Sequence, residues 1–134
     1  MLAFGMPMGP IELIDTVGLD IALAAGQGLS RSLSGALAEP PQCLMQRVNA
    51  GQLGRKTGSG FYRYANGQAH KGPAGSVPPG LAQRLLKPLL IRTQQLVNEG
   101  IVADADLADA GVIFGTGFAP FTGGPLNYLK SLHV

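Results

Sequence analysis

Phe4-Gly5-Met6-Pro7-Met8-Gly9-Pro10-Ile11-Glu12-Leu13-Ile14-Asp15-Thr16-Val17-Gly18 sets a glycine- and proline-rich turn directly before an apolar segment of helical period. Two Gly and two Pro between Gly5 and Pro10 rule out regular structure there. Pro10 suits the first position of a helix, where its missing N–H costs nothing. Ile11, Leu13, Ile14 and Val17 then recur at helical spacing, and Gly18 is the expected stop. A domain rarely opens on such a turn, so a helix is expected ahead of it in a parent sequence.

Downstream, Asp20 is the expected N-cap of a second helix carrying Ile21, Leu23 and Ala24, and the pattern loosens at Gly26, Gly28 and the serine-rich stretch from Ser30 to Gly35. Pro40 and Pro41 open a third helix with Leu44 and Val48, stopping near Gly51. From Gly51 to Gly60 glycine is too dense for a helix, and Phe61, Tyr62 and Tyr64 favour an extended run. Residues 65–79 read as a linker. A long helix follows over about 79–98, with Leu81, Leu85, Leu89, Leu96 and Val97 on or near one face, Pro88 as a kink or break, and Gly100 beyond its end. Ala103 to Phe114 gives another helix, capped by Asp104 or Asp106, with Leu107, Ala110, Val112 and Ile113 inward; Gly115 to Gly124 is a loop and Pro125 to Leu132 a last helix. Five or six helices without an alternating strand series define an all-α class.

The 134 residues allow one domain, or two small halves around a shared core. With 46% hydrophobic and 13% charged residues the chain is globular. A net charge of +2, with Lys and Arg scattered, argues against nucleic acid. Cys43 is the only cysteine, which excludes an internal disulfide and fits a reducing, cytoplasmic compartment. Residues 1–15 lack the basic start of a signal peptide, and no apolar run is long enough for a membrane span.

The chemistry-bearing residues form no complete active site. His70 falls in the linker and His133 is penultimate, so neither is held as a general base must be, and one Cys with two peripheral His makes no metal set. Gly54-Arg55-Lys56-Thr57-Gly58 is not a phosphate-binding P-loop, because Arg55 stands between the glycine and the lysine. Gly58-Ser59-Gly60 lacks the third glycine of a dinucleotide fingerprint. Arg55 and Lys56 still offer charge to an anion, against the plainer reading of a solvated turn that packs Phe61 on the helices. Glu12 and Asp15 share a helix face and can do acid–base work, but in a first turn such carboxylates more often complement the helix dipole. Asp104, Asp106 and Asp109 read as caps and surface charge. Phe4-Gly5 and Phe114-Gly115 each lead, through a Gly/Pro loop, to a helix that opens on Pro, which suggests an internal duplication.

The stretch Phe4 to Asp20, the segment Leu53-Gly54-Arg55-Lys56-Thr57-Gly58-Ser59-Gly60-Phe61-Tyr62-Arg63-Tyr64, and the run from Glu99 through Gly117-Phe118-Ala119-Pro120-Phe121-Thr122-Gly123-Gly124-Pro125-Leu126 together resemble the 3-hydroxyacyl-CoA dehydrogenases. The first two are similar to that family's C-terminal domain and the third to the second copy of it in multifunctional fatty-acid oxidation proteins. The resemblance implies a helical bundle of the 6-phosphogluconate-dehydrogenase C-terminal-domain-like fold in two pseudo-repeated halves. These are residues 1–64, truncated at the N-terminus, and 80–134, joined by the linker 65–79. It implies NAD-dependent oxidation of an L-3-hydroxyacyl-CoA in β-oxidation, with NAD on a Rossmann domain that this sequence lacks. The family's catalytic His-Glu pair and its substrate-contacting Asn match nothing here, so no catalytic residue is assigned.

What the resemblance does carry over is an acyl-CoA site at Pro7, Met8, Gly9 and Leu13, to which Arg55 and Lys56 are added on charge alone. A Gly/Pro turn admits close backbone approach, and Met8 and Leu13 supply apolar surface; the same turn can equally serve only to pack helices. The implied partners are the acyl-CoA, the parent's Rossmann domain, a second copy of the chain, an enoyl-CoA hydratase domain and a thiolase. The expected function is the C-terminal portion of such a dehydrogenase, completing the acyl-CoA cleft and subunit contacts without catalysing alone. The alternative is a stand-alone acyl-CoA-binding or assembly module.

Overall fold

The structure, a computed structural model, describes residues 1–32, 39–73 and 75–132. His133 and part of the serine-rich stretch lie outside them. The all-α expectation holds. Among the described residues run the helices α1 (Pro10–Val17), α2 (Leu19–Ser32), α3 (Gln42–Asn49), α4 (Leu81–Asn98), α5 (Ala105–Thr116) and α6 (Pro125–Ser131). Three short 3-10 turns and one hairpin, β1 (Arg63–Ala65) with β2 (Gln68–His70), complete them. The chain forms two compact units, Pro10–Gly75 and Met1–Gly9 with Ser76–Val134.

In the unit Pro10–Gly75, Gly18 serves two helices at once. Its N–H donates to Ile14 O at 2.9 Å, ending α1, and its carbonyl accepts from Ala22 N at 2.9 Å, starting α2. A φ of +113° makes this turn possible and favours glycine. Asp20, expected as the N-cap, sits instead inside the first turn of α2. That helix also runs through Gly26 and Gly28, where looser structure was expected. Each such glycine costs on the order of 1 kcal/mol relative to Ala, too little to stop a helix that packs on α1 and α3. Leu19 and Leu44 are buried, and Leu19 N donates to Leu53 O at 3.1 Å, tying α2 to the loop after α3.

Residues 65–79, read as a linker, open with a hairpin. Asn66 and Gly67 turn it at φ +51° and +75°, the two positive values a type I′ turn requires, and Arg63, Tyr64 and Ala65 pair with His70, Ala69 and Gln68.

In the other unit, Leu86 and Leu90 of α4 surround Phe118, which is fully buried. Phe4 lies edge-on to Phe118 at 5.8 Å and to Tyr128 at 5.1 Å. The inward stripe of α4 is therefore Leu86, Leu90 and Thr93, not the expected stripe through Leu85, which is exposed. In α5, Leu107 likewise points out, while Ala108 and Asp109 are buried. Alpha-4 runs unbroken through Pro88, which is exposed, so the carbonyl its ring leaves unbonded can face water. Gly100, at φ +71°, donates to Val97 O while Ile101 N reaches Leu96 O, closing the helix as expected. Asp104 caps α5 by accepting from Leu107 N at 2.8 Å.

Candidate functional site

Asp15 organises the loop that carries Arg55 and Lys56. It projects from α1 and is fully buried. Its carboxylate accepts from Phe61 N at 2.9 Å, Tyr62 N at 2.8 Å and the Tyr64 hydroxyl at 3.2 Å. Burying a carboxylate is costly unless charge-assisted hydrogen bonds replace its water, and two successive backbone donors do so here. Burial, followed by the Asp15 charge, pushes the Tyr64 phenol up to about 12. Gly54 and Gly60 leave room for this carboxylate, since a Cβ on Gly54 would overlap the Asp15 carbonyl and one on Gly60 its side chain. Asp15 is thus neither a dipole partner nor an acid–base group but the clamp on residues 61–64. Glu12, its expected partner, pairs with Lys71 at 2.5 Å.

Within the loop, Leu53 N donates to Thr57 Oγ1 at 2.9 Å, and Gly54 N to Ser59 O at 2.8 Å, which closes the 3-10 turn Arg55–Thr57. Lys56 reaches both Asp20 oxygens, at 2.6 and 2.7 Å, and that hydrogen bond holds the Asp20 carboxyl below its usual range. Arg55 makes no ion pair among the described residues; its guanidinium lies beside the hairpin turn, near enough that a Cβ on Gly67 would meet Nη2 at 2.9 Å. Of the two cations, Arg55 alone keeps its charge unspent.

The six expected site residues divide between the two units. Leu13, Arg55 and Lys56 lie in Pro10–Gly75, with Leu13 exposed on α1. Pro7, Met8 and Gly9 lie in the other unit, where Pro7 sits against Gly117: a Cβ there would meet Pro7 Cγ at 2.8 Å. His70 is on β2 opposite Arg63, Cys43 is exposed, and no metal-binding cluster occurs among the described residues. No described helix is long and apolar enough to cross a membrane.

Three polar residues take on work that sequence reasoning did not give them. Asp109, read as surface charge, is buried and accepts from Leu126 N at 2.6 Å and Asn127 N at 3.1 Å, capping α6 from another helix. Tyr64 joins the Asp15 clamp. Arg47 of α3 donates from Nη1 to Gln52 Oε1 and Gly60 O, both at 3.0 Å, with its guanidinium 4.7 Å from the centre of the Phe61 ring. Only the glycines beside these groups hinted at such contacts, since every partner except Gln52 is distant in sequence.

The two strands are three residues long, antiparallel and joined by a two-residue turn, and neither feeds a helix through a glycine-rich phosphate loop.

A helical chain whose glycine-lined loop is clamped on the first helix is the class these observations define. Residues 1–64 match the model of the 3-hydroxyacyl-CoA dehydrogenase C-terminal domain. The chain is 34% identical over 145 residues to the fatty acid oxidation complex subunit alpha of Shewanella loihica, which covers 98% of this chain and 20% of that protein. The subunits of the same name from Shewanella baltica and Shewanella sp. (strain MR-4) are 34% and 32% identical, again over 98% of this chain and 20% and 21% of theirs. Residues 1–64 are thus similar to the 3-hydroxyacyl-CoA dehydrogenase C-terminal domain, and 98% of the chain aligns with a stretch of these alpha subunits. It spans about a fifth of the length of the curated relatives it matches.

Proposed function

We propose that this chain is the C-terminal portion of an NAD-dependent L-3-hydroxyacyl-CoA dehydrogenase of fatty-acid β-oxidation. It completes the acyl-CoA cleft and the subunit contacts and does not catalyse alone. The observation that carries this reading is the family match over residues 1–64, extended by the alpha-subunit relatives along 98% of the chain. Pro7, Met8, Gly9 and Leu13 are the proposed acyl-side residues, with Arg55 and Lys56 beside them. Arg55 is the better placed of the two for an anion, because Lys56 is held by Asp20. NAD belongs to a Rossmann domain of the parent enzyme; hydratase and thiolase partners follow from the same reading.

The organisation proposed with it is two C-terminal-like copies, 1–64 and 80–134, joined by 65–79. Two parallel passages support it. Phe4-Gly5 and Phe114-Gly115 each stand at or within two residues of a glycine at positive φ that ends a helical segment, Gly5 itself and Gly117, and the chain then loops to a helix that opens on Pro10 or Pro125.

Titration calorimetry of acetoacetyl-CoA into the purified chain, with free CoA as control, tests the reading. Heat that requires the acyl group, and that falls when Met8 is replaced by Asp, is the expected result. No heat with either ligand in a folded sample overturns the cleft role and leaves assembly as the chain's contribution.

A further inference from the structure

We propose that the groove between α4 and α6 takes a single-chain amphiphile with an anionic head, a free medium-chain carboxylate. The inference does not rest on the dehydrogenase reading, since none of the groove's walls is a proposed acyl-side residue. The cavity measures about 450 Å³, within the roughly 300–1,000 Å³ of small-molecule sites. Leu90 is its buried floor, and Ile91, Leu129 and Leu132 form its apolar walls. Ile91 and Leu132 stay 45% and 47% exposed, so the groove leaves apolar surface in water that the core does not use.

Polar side chains enter the groove only at Gln83 and Lys87, one turn apart on α4. Lys87 is exposed and forms no ion pair among the described residues. The charge around it has one sign. Alpha-4 and α6 carry Arg84, Lys87, Arg92 and Lys130 and no acidic side chain. Among the described residues only Arg92 of these is paired, with Glu99 at the far end of α4. Gln83 adds a carboxamide in the first turn of α4, where the helix dipole is positive. A neutral or cationic amphiphile leaves this charge unanswered. A carboxylate answers it at Lys87 while its tail covers Ile91 and Leu132. A partner helix is the poorer fit, because α6 has 7 residues and gives the groove a wall only about 10 Å long.

Octanoate and decanoate, titrated below their micellar range into the full chain and followed by methyl NMR and calorimetry, test this. Saturable shifts at Ile91 and Leu132, with one ligand per chain, are expected. Each added methylene that is fully covered tightens binding about fourfold, so decanoate should exceed octanoate by up to about fifteenfold. Decylammonium, with the same tail and the opposite head, should bind more weakly than decanoate. Lys87→Gln should weaken decanoate about two- to fivefold, the reach of an exposed charge pair, and leave decanol unchanged. Ile91→Gln, at a half-exposed position outside the Leu86–Leu90–Phe118 core, should weaken decanoate and decanol alike. The site is overturned if decanoate moves neither methyl, if decylammonium binds as tightly as decanoate, or if Ile91→Gln binds decanoate as the parent chain does. It is overturned also if the same methyls shift when the chain alone is diluted, which makes a second copy the occupant. A response to phosphatidylglycerol vesicles and not to decanoate overturns it in favour of a membrane surface.

Discussion

Replacing Asp15 by Ala is expected to unfasten residues 61–64 and to destabilise the chain by about 3–5 kcal/mol. The magnitude follows from what the carboxylate serves. Three donors converge on it, Phe61 N, Tyr62 N and the Tyr64 hydroxyl, in a site with no exposure to solvent. Each donor left buried and unpaired costs about 1–3 kcal/mol, so three set a floor near ~3. The upper sum is not reached, because the loop can shift and let water in. Against a domain stability of about 5–15 kcal/mol, this is a large fraction. Asp15→Asn keeps one acceptor oxygen but faces an amide N–H₂ toward a backbone donor, and about 1–3 kcal/mol is expected. Tyr64→Phe removes only the longest of the three bonds and should cost about 1 kcal/mol or less. Urea denaturation followed by far-ultraviolet circular dichroism gives the three values, and amide hydrogen exchange at Phe61 and Tyr62 locates the loss. The reasoning fails if Asp15→Ala unfolds at the parent's urea midpoint, or if the order of the three variants is reversed.

Two further outcomes follow from the same geometry. The Tyr64 phenol, raised by burial and by Asp15 to about 12, deprotonates in the unfolded chain first, near its ordinary value of 10.0. The stability it contributes is therefore complete below pH ~10 and is lost as the pH climbs toward ~12. Absorbance titration of the folded chain should show a late phenol component that Tyr64→Phe removes; a titration curve whose late part is unchanged by Tyr64→Phe would contradict this. In the other unit, Phe118→Ala empties the centre of the Leu86–Leu90 cluster, and a loss of about 3–5 kcal/mol in urea unfolding is expected. A loss below ~1 kcal/mol would show that Phe4 and Tyr128 refill the space.

Much of the fold was legible because its helices are bounded by residues with one local meaning. Pro10 and Pro125 open helices, Gly18 and Gly100 close them, and Asp104 caps one. What escaped depended on partners far along the chain. Alpha-4 carries leucines at 85, 86, 89 and 90, so two faces are apolar and only the position of Phe118 decides which turns inward. The hairpin was legible in principle, since Asn66-Gly67 is the strongest short turn signal. The surrounding Gly and Pro, which read as a linker, mask that signal. For the site the limit is sharper. Asp15 and Asp109 look like any helical aspartate until the backbone donors of residues 61–62 and 126–127 are brought to them. Arg47 lies only five residues from Gln52, but its other supports, Gly60 and Phe61, come from the loop that Asp15 holds.

The division of the chain into units has a consequence for the order in which it can be assembled. Pro10–Gly75 is contiguous, so a ribosome that has delivered Gly75 has delivered every residue of that unit, and Asp15 can find its donors at once. The other unit interleaves Met1–Gly9 with Ser76–Val134. Phe4 must therefore wait until Phe118 and Tyr128 have been synthesised before its ring has anything to lie against. At the usual 5–20 residues per second, that is a delay on the order of 5–25 seconds. During it an apolar stretch stays open to water, to chaperones and to other chains. Late closure of this kind exposes the nascent chain, and slowing translation between Gly75 and Phe118 should lengthen that exposure without touching the early unit.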